Sequence, residues 1–202
     1  MKGMLLLSTG IDSPVAGRIL ADKGIEIVAV HFMNSDSEEK KEKVIRLVKK
    51  IGVKRVYFVV FYNIQKEMQD KCDNKYQCVL CKRMMFRLAE KIAEKEGADF
   101  IVTGDNLGQV ASQTLDNMGV IDSAVKILKV RPLLCNDKNE TMKIAREIGT
   151  YDISIENEGV CQFLPKNPAT KAILKAIKFE EEKLNVKEIM EKAVKEAEKK
   201  DL

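Results

Sequence analysis

The stretch MLLLSTGIDSPVAGRIL, residues 4–20, decides the fold of this chain. It predicts an apolar strand, a short loop of small residues, and a helix that holds Pro14 in its first turn, where a proline loses no hydrogen bond. Neither common nucleotide-binding signature is present, because the chain contains no G-x-x-x-x-G-K-S/T and no G-x-G-x-x-G. The ligand of this junction must therefore be inferred from the loop itself.

The loop between this strand and helix has the chemistry of a phosphate site. Ligands of an open parallel sheet bind beyond the carboxyl ends of its strands. Small residues such as Ser8, Gly10 and Ser13 let the backbone approach an anion at a helix start. A carboxylate such as Asp12 is repelled by phosphate unless Mg²⁺ lies between them, so the loop indicates a nucleotide phosphate with magnesium. In the structural alternative, Thr9 and Gly10 form only a turn, and Asp12 or Ser13 only caps the helix.

The rest of the chain alternates strand and helix patterns, which is typical of a parallel sheet covered on both faces. Further strands are predicted near residues 25–32, 53–62, 99–104 and 125–130. The polar residues 63–77 carry only a poor helix pattern. The expected fold is α/β: a doubly wound, mostly parallel five-stranded sheet with helices on both faces. Residues 1–165 are expected to form this domain, and residues 166–202 a charged, amphipathic helical extension packed on it.

Composition limits the classes of protein to which this chain can belong. Its 202 residues suit one domain, and the 35 basic against 31 acidic residues give a net charge of +4, too small to indicate a nucleic-acid partner. No apolar run approaches the ~20 residues of a membrane span, and no signal-peptide pattern begins the chain, so a cytoplasmic protein without membrane contact is expected. The odd count of five cysteines and the single histidine disfavour disulfide staples, a Ser-His-Asp triad and a His-rich zinc site.

The opening stretch also resembles a known motif. LLSTGIDSPVAG is similar to the PP-loop, commonly S-G-G-x-D-S, of the adenine nucleotide α-hydrolase superfamily. Later blocks, in order, resemble the catalytic domain of tRNA 4-thiouridine synthetases, which are tRNA sulfurtransferases also linked to the thiazole of thiamine. These blocks are AVHF, CKRMMFRLAEKIAEKEGADFIVTGDNLGQVASQTLDNM, VRPLL, AREIGTYDIS and CQFLPKNPATKA. Thr9 departs from the family pattern, which has Gly there, and the family's THUMP and rhodanese domains are not found in the sequence.

The resemblance implies an enzyme that uses ATP and Mg²⁺ to adenylate a tRNA uridine carbonyl and then replaces its oxygen by sulfur. Asp12 would act with Mg²⁺, and Cys161 would attack or carry the transferred sulfur. The implied nucleotide-binding residues are Leu6, Leu7, Ser8, Gly10, Ser13, His31, Phe32, Lys82, Gly104 and Gln113. Arg83 and Arg87, beside Lys82, would otherwise lie on a solvated helix face. The implied partners are tRNA, bound with a separate RNA-binding subunit, and a sulfur donor; a homodimer is left open.

The cysteines allow several interpretations. Cys78 and Cys81 have the C-x-x-C spacing of metal and redox sites. Some archaeal relatives resemble this chain in a C-x-x-C pair with a third cysteine, which implies an iron–sulfur cluster on Cys78, Cys81 and Cys161, with Cys72 in reserve. Zinc would need Cys72 as a fourth ligand. In the remaining alternative all are free thiols and only Cys161 is reactive, while Cys135 is expected to be a buried small hydrophobe.

Two rival functions remain at this stage. An ATP pyrophosphatase of the same fold would activate a small metabolite, such as a thiamine-thiazole precursor, for sulfur transfer without tRNA. A non-catalytic adenine-nucleotide-binding protein would agree with the unusual Thr9. Exchange of pyrophosphate into ATP separates the enzymes from the binding protein. The salt dependence of tRNA binding separates the first two functions, because contacts to the phosphate backbone steepen it.

Overall fold

The computed structural model describes residues 1–35, 37–156 and 161–202. Within these ranges the chain forms one six-stranded sheet and nine α-helices. The strands are β1 (Lys2–Leu6), β2 (Glu26–Met33), β3 (Arg55–Val60), β4 (Phe100–Val102), β5 (Leu128–Val130) and β6 (Glu198–Asp201). The helices are α1 (Asp12–Ala21), α2 (Glu38–Lys50), α3 (Tyr62–Lys71), α4 (Gln77–Glu96), α5 (Leu115–Asp122), α6 (Lys138–Glu147), α7 (Tyr151–Ile155), α8 (Leu174–Glu181) and α9 (Val186–Glu196).

The sheet confirms the predicted doubly wound α/β class. Its strand order is β5-β4-β1-β2-β3-β6, and β1 pairs in parallel with both β2 and β4. The chain therefore moves outward from β1 through β2 to β3, then returns to β4 and β5 on the other side of β1. This reversal opens a crevice beyond the carboxyl ends of β1 and β4, where ligands of such sheets bind.

Alternate residues of the central strands feed two apolar cores, one on each face of the sheet. Met4 packs with Val28 and with the buried side of α4, whereas its neighbour Leu5 packs with Ala29, α1 and α2. Successive side chains of a strand point to opposite faces, so a strand buried on both sides shows a continuous apolar run. Helices consequently cover both faces, as predicted.

The sequence did not predict the sixth strand. The end of the charged residues 166–202, expected to be helical, forms β6, which pairs antiparallel with β3 in a register that places Arg55 opposite Asp201. Arg55 Nε donates to Asp201 Oδ1 at 2.5 Å, and Lys41 Nζ donates to Glu198 Oε2 at 2.9 Å. A charged strand of four residues carries no apolar pattern that a sequence can reveal. It also protects the outer edge of the sheet from pairing with other chains.

The C-terminal helices contribute side chains to the core on the α4 side of the sheet. Ala172, Ile177, Leu184 and Ala193 belong to the same apolar cluster as α4. The boundary between residues 165 and 166 stays a prediction. The polar region 63–77 is better ordered than its sequence indicated, since it holds most of α3 and a short 3₁₀ turn. None of the helices in the described ranges combines the length and apolar character needed to cross a membrane.

A buried ion cluster fastens α8 to α4. Arg83, whose side chain is 2% exposed, donates to both carboxylate oxygens of Glu181 at 2.8 and 3.0 Å, and Arg87 does so at 2.6 and 2.9 Å. Burial alone would raise the pKa of Glu181, but hydrogen bonds from Arg87 and Arg83 outweigh it and lower the pKa. The two arginines thus join the C-terminal helices to the core, and the alternative that placed them on a solvated helix face is wrong.

Replacing Glu181 by alanine is expected to lower the free energy of unfolding by about 3–5 kcal/mol, because it leaves two arginines inside the protein without their carboxylate. Glu182→Ala is the matched control: that side chain is exposed, so its loss should change stability by less than about 0.5 kcal/mol. Urea unfolding of both variants measures the difference. Equal losses in the two variants would contradict a role for the cluster.

Candidate functional site

A cavity of about 320 Å³ lies at the carboxyl ends of β1, β2 and β4. The ten residues predicted to contact a nucleotide all line it, together with Asp12. They are Leu6, Leu7, Ser8, Gly10, Ser13, His31, Phe32, Lys82, Gly104 and Gln113. Residues that lie up to about a hundred positions apart in the sequence therefore meet at a single site. The geometry brings the predicted set together, while the role of each residue stays a prediction.

The loop after β1 is held in shape by its own two serines. Ser13 Oγ accepts a hydrogen bond from Ser8 N at 2.8 Å and lies 2.9 Å from Ser8 Oγ. Gly10 N donates to Ser8 Oγ at 3.3 Å, and Ser154 Oγ, on α7, donates to Gly10 O at 3.3 Å. Small hydroxyl side chains thus fold the loop back on itself without filling the cavity.

The start of α1 faces the cavity without a side-chain cap. Ile11 is the N-cap residue, and no side chain there accepts a hydrogen bond from the first turn. The alternative in which Asp12 or Ser13 only caps this helix is therefore wrong. Uncapped N–H groups at a helix start carry a partial positive charge that suits a phosphate.

Gly104 is the residue that lets this loop approach β4. A Cβ atom placed on it would lie 2.5 Å from Ser13 N and 2.7 Å from both Asp12 C and Ser13 Cα. These are backbone atoms, so they cannot move aside as a flexible side-chain tip can. Only glycine permits this contact between the end of β4 and the start of α1.

Aromatic and aliphatic side chains form the wall of the cavity at the ends of β1 and β2. His31 is 8% exposed, and its Nδ1 donates to Leu7 O at 2.8 Å, because a carbonyl oxygen can only accept. The Phe32 ring packs edge-on against Phe61 with 5.4 Å between centroids. Fixed apolar walls of this kind suit a flat ring such as a nucleobase.

A buried carboxylate organises the polar side of the cavity. Asp105 accepts from Lys82 Nζ at 2.5 Å, from Thr103 Oγ1 at 2.8 Å, from Gln113 Nε2 at 3.2 Å and from Arg131 Nε at 3.4 Å. Burial would raise the pKa of Asp105, but Lys82, Thr103 and Arg131 outweigh it and hold the pKa at about 2. Asp105 is thus ionised and positions two of the predicted nucleotide ligands at once.

Asp12 is held by a lysine that the sequence analysis missed. Lys138 Nζ, from the first turn of α6, donates to Asp12 Oδ1 at 2.8 Å and Oδ2 at 3.0 Å. No local pattern marks Lys138, because 126 residues separate the two partners. Asp105 could have been found, since it follows β4 directly and the carboxyl ends of central strands form the site.

The three predicted sulfur residues lie close together. Cys161 is exposed, Cys78 is half-buried and Cys81 is buried. Burial raises the pKa of Cys78, and the charge of Cys161 raises it further. Gln77, at the start of the helix that carries Cys78, donates from Nε2 to Gln65 O at 3.0 Å. Gln65 Nε2 lies 3.9 Å from Cys161 Sγ, and Gln77 Nε2 donates to Cys81 Sγ at 3.5 Å. Cys78 also lies one helical turn before Lys82, which lines the cavity.

These thiols do not form a ready metal site. In the ranges that the structure describes, no group of three or more His, Cys, Asp or Glu side chains is arranged to hold a metal ion. Burial raises the pKa of Cys81 to about 12, and its thiol donates to Met68 Sδ at 3.9 Å. The reserve ligand Cys72 instead donates to Glu180 O at 3.5 Å. The expectation for Cys135 was wrong, because this residue is exposed in the turn before α6.

Asn117 joins the segment that follows Cys161 to residues 111–113, at the edge of the cavity. This fully buried amide donates to Ala111 O at 2.6 Å and Ala169 O at 2.8 Å, and it accepts from Ala172 N at 2.8 Å. Its side-chain nitrogen and oxygen therefore form hydrogen bonds with the residues before Gln113 and with the segment that follows Cys161. The two loops consequently hold one position relative to each other.

Comparison with known proteins places this architecture in a family. The family model described as "Thiamine biosynthesis protein (ThiI)" matches residues 1–186. The probable tRNA sulfurtransferase of Moorella thermoacetica is 45% identical over 197 residues, which cover 94% of this chain and 50% of that protein. Its counterpart in Methanocaldococcus jannaschii is 42% identical over 194 residues, covering 92% and 50%. The chain spans about half the length of these relatives.

Solved structures agree with the family match. A 4-thiouridine synthetase–RNA complex with bound ATP superposes with a TM-score of 0.93 at 38% identity, covering 98% of this chain and 54% of that one. The NMN synthetase of Francisella tularensis superposes with a TM-score of 0.59 at 12% identity, covering 94% and 85%, which indicates a shared fold alone.

Substituting Gly104 by alanine is expected to weaken ATP binding at least tenfold, because its Cβ would displace the backbone of Asp12 and Ser13. Gly119→Ala is the matched control, since a Cβ there meets nothing within 4 Å in the middle of α5. Titration calorimetry with ATP, beside a thermal melt of each variant, measures the effect. A Gly104→Ala protein that binds ATP as the wild type does would contradict the cavity as the nucleotide site.

Proposed function

Because the chain belongs to the ThiI family of thiamine biosynthesis proteins, we propose that it is an ATP-dependent sulfurtransferase that converts a tRNA uridine to 4-thiouridine. One observation carries the proposal. The cavity gathers the ten residues expected to bind ATP, and Gln65 links the exposed Cys161 to the start of α4, the helix that carries Cys78 and Lys82. The names of the related proteins and of the ATP-bound structural neighbour support the same reaction.

The chemistry needs two steps because a uridine carbonyl oxygen is a poor leaving group. In the first step the O4 atom of the uridine attacks the α-phosphorus of ATP, and the bond to the β-phosphate breaks to release pyrophosphate. In the second step a sulfur nucleophile attacks C4, and AMP leaves with the oxygen. The tasks of the protein are to position the reactants and to stabilise charge on phosphate.

The cavity residues divide these tasks between them. The apolar ends of β1 and β2 would hold the adenine, and the uncapped start of α1 with Ser8 and Ser13 would hold the phosphates. Lys82, which Asp105 holds in position at the cavity, would share its ammonium group between Asp105 and a phosphate of ATP. Lys138 would likewise move from Asp12 to the departing pyrophosphate.

Asp12 fits the expected role with magnesium. Mg²⁺ in phosphoryl-transfer sites is commonly held by one or two carboxylates and the substrate phosphates. Asp12 offers one carboxylate at the start of α1, and its present partner is the ammonium group of Lys138. When bound there, Mg²⁺ would neutralise charge on the pyrophosphate, while the protein itself contributes Lys82, Lys138 and the backbone N–H groups.

Cys161 would deliver the sulfur as a persulfide. Its thiolate first takes one sulfur atom from a persulfide donor, which leaves as its own thiolate. The terminal sulfur of the Cys161 persulfide then attacks C4 of the adenylated uridine and expels AMP, which leaves a disulfide between Cys161 and the base. A thiolate is the reactive form of cysteine in each of these attacks.

Cys78 is the thiol to which we assign the release of the product. Its thiolate would attack Cys161 Sγ, form a Cys78–Cys161 disulfide and free the thiouridine sulfur with the electron pair of the broken bond. An external dithiol would then reduce the protein disulfide for the next cycle. The assignment is supported by Gln65, whose Nε2 lies 3.9 Å from Cys161 Sγ and whose carbonyl oxygen accepts from Gln77 at the start of α4, one residue before Cys78.

The proposed mechanism contains no step through an iron–sulfur cluster. Cys78, Cys81 and Cys161 do not form a ready three-ligand group in the described ranges, and the Cys81 thiol already contacts Met68 and Gln77. The cluster inferred from the family resemblance therefore stays a prediction without geometric support.

The reaction also requires partners. A sulfur donor of the persulfide class must reach the exposed Cys161, and tRNA is proposed to arrive with a separate RNA-binding subunit. A homodimer stays a prediction. The five free thiols suit the reducing cytoplasm, where we place the reaction.

A small acceptor is the second candidate. The family description refers to thiamine biosynthesis, and the same adenylation and persulfide steps would serve a small carboxylate or carbonyl compound. A protein that only binds nucleotide is the third possibility; it would release no pyrophosphate with any acceptor.

The deciding experiment supplies the full chain with ATP, Mg²⁺, an unmodified tRNA transcript and a persulfide donor. Pyrophosphate release and 4-thiouridine, identified by mass spectrometry of the nucleosides, are expected together. Cys161→Ser should still release pyrophosphate yet form no 4-thiouridine, because it blocks only the second step. Cys135→Ser is the matched control, an exposed thiol with no proposed part, and should behave as the wild type. Thiolation by Cys161→Ser would refute the assignment, and release of pyrophosphate only with small acceptors would favour the second candidate.

After turnover without reductant, a peptide map is expected to contain a Cys78–Cys161 disulfide. It should form in amounts equal to the 4-thiouridine produced, because each product release oxidises one pair of thiols. Cys78→Ser should instead accumulate the mixed disulfide between Cys161 and the RNA. Multiple turnover by Cys78→Ser at the wild-type rate would assign release to another thiol.

A further inference from the structure

The segment that carries Cys161 continues into an unusually basic stretch. Residues 161–179 contain four lysines and no acidic residue, in a chain with 31 acidic residues. The lysines are Lys166, Lys171, Lys175 and Lys178, and all four are exposed. Over the ranges that the structure describes, none of them forms an ion pair with a carboxylate. Their charge is therefore directed to solvent.

The acidic residues that follow this stretch are turned inward. The Glu180 side chain is 8% exposed and accepts from Asp73 N at 2.8 Å, and Glu181 is 11% exposed between its two arginines. Only Glu182, at the end of the helix, adds negative charge to the outside. The outer side of α8 consequently keeps a positive face.

Exposed apolar side chains accompany these lysines. Ile173 is 66% exposed and Phe179 is 61% exposed. A shallow groove along α8 is lined by Leu174, Lys175, Lys178, Phe179 and Glu182, so two lysines face it against one carboxylate. The ammonium of Lys183 lies 5.0 Å from the centre of the Phe179 ring, so one cation already contacts this ring. We call Lys171, Ile173, Lys175, Lys178 and Phe179 the α8 surface.

The α8 surface adjoins the proposed reaction site. Thr114, next to the cavity residue Gln113, donates from Oγ1 to Thr170 O at 2.7 Å, and Ala172 N donates to Asn117. These two bonds hold the beginning of the α8 surface against residues 114–117, which follow Gln113. A molecule bound near Lys171 would therefore lie close to the residues that follow Gln113 in the chain.

We propose that the α8 surface binds the RNA acceptor, with its lysines on phosphates and Phe179 stacked on an unpaired base. The proposal rests on the proposed function, for which it names the docking surface. Lysines with no carboxylate partner suit a polyanion, and an exposed aromatic ring among them suits a base taken out of a helix. A second copy of this chain is a poorer occupant, because two identical positive faces repel each other.

The test measures binding of an unmodified tRNA transcript to the full chain over a range of salt concentrations. Lys175→Gln with Lys178→Gln should weaken binding and reduce the slope of log affinity against log salt by about 1 to 2, since each lost phosphate contact removes about 0.7–0.9. Phe179→Ala should weaken binding roughly fivefold or more with the slope unchanged, and Phe179→Tyr should restore it.

Lys192→Gln with Lys195→Gln is the matched control, because it removes the same charge from exposed positions of α9 and should leave the slope near that of the wild type. An equal slope change in this control, or no binding by the wild type at the lowest salt, would overturn the proposal. The proposal would also be overturned if the wild type were a dimer and Phe179→Ala made it monomeric without changing RNA binding. That result would assign the surface to a second copy of the chain.

Pyrophosphate release by the same proteins distinguishes the two proposals. A wild type that binds the transcript through these lysines but releases no pyrophosphate would keep the α8 surface and refute the proposed function. If the Lys175→Gln, Lys178→Gln protein binds the transcript and thiolates it normally, the proposed function is kept and the α8 surface is refuted as the RNA-binding site.

Discussion

The parallel pairing of β1 with β4 is the constraint on which the rest of the molecule depends. These neighbours in the sheet are separated by about a hundred residues of sequence, and their pairing brings the loop after β1 against the end of β4. Gly104 has no side chain, so the backbone of Asp12 and Ser13 can lie directly on it. The cavity exists because this contact is close on one side while the ends of β1 and β2 stay open on the other.

Charges around the cavity are paired before any ligand arrives. Lys82 lies on Asp105 and Lys138 on Asp12, so each cation expected to meet a phosphate is already positioned by a carboxylate. Such pairing keeps the cations ordered and prevents a strongly positive empty site. If these lysines bind phosphate as proposed, the phosphate would compete with a carboxylate for each of them. Asp105, with its pKa at about 2, stays charged throughout the physiological range and keeps Lys82 and Gln113 in place.

The C-terminal residues serve the site through their charge arrangement. Glu180 and Glu181 point inward and fasten α8 to the core, which leaves lysines and Phe179 on the outside. Asn117 and Thr114 then join the segment before α8 to the residues around Gln113, at the edge of the cavity. One stretch of chain thus carries Cys161, the glutamates that bind the core and the basic face. In the proposed reaction, ATP, sulfur and the acceptor would meet on neighbouring elements.

The sequence by itself determined the alternation of strands and helices, the doubly wound class and the small loop after β1, because these depend on local apolar patterns and on the chemistry of adjacent residues. Through its resemblance to a family it also predicted the ten cavity residues. Only the tertiary structure decided the antiparallel β6, the burial of Arg83, the exposure of Cys135 and the partners of Asp12 and Asp105. Each of these depends on contacts between residues far apart in the chain. A charged residue carries the same local pattern whether it faces solvent or a distant partner, so its environment is decided only when the chain has folded.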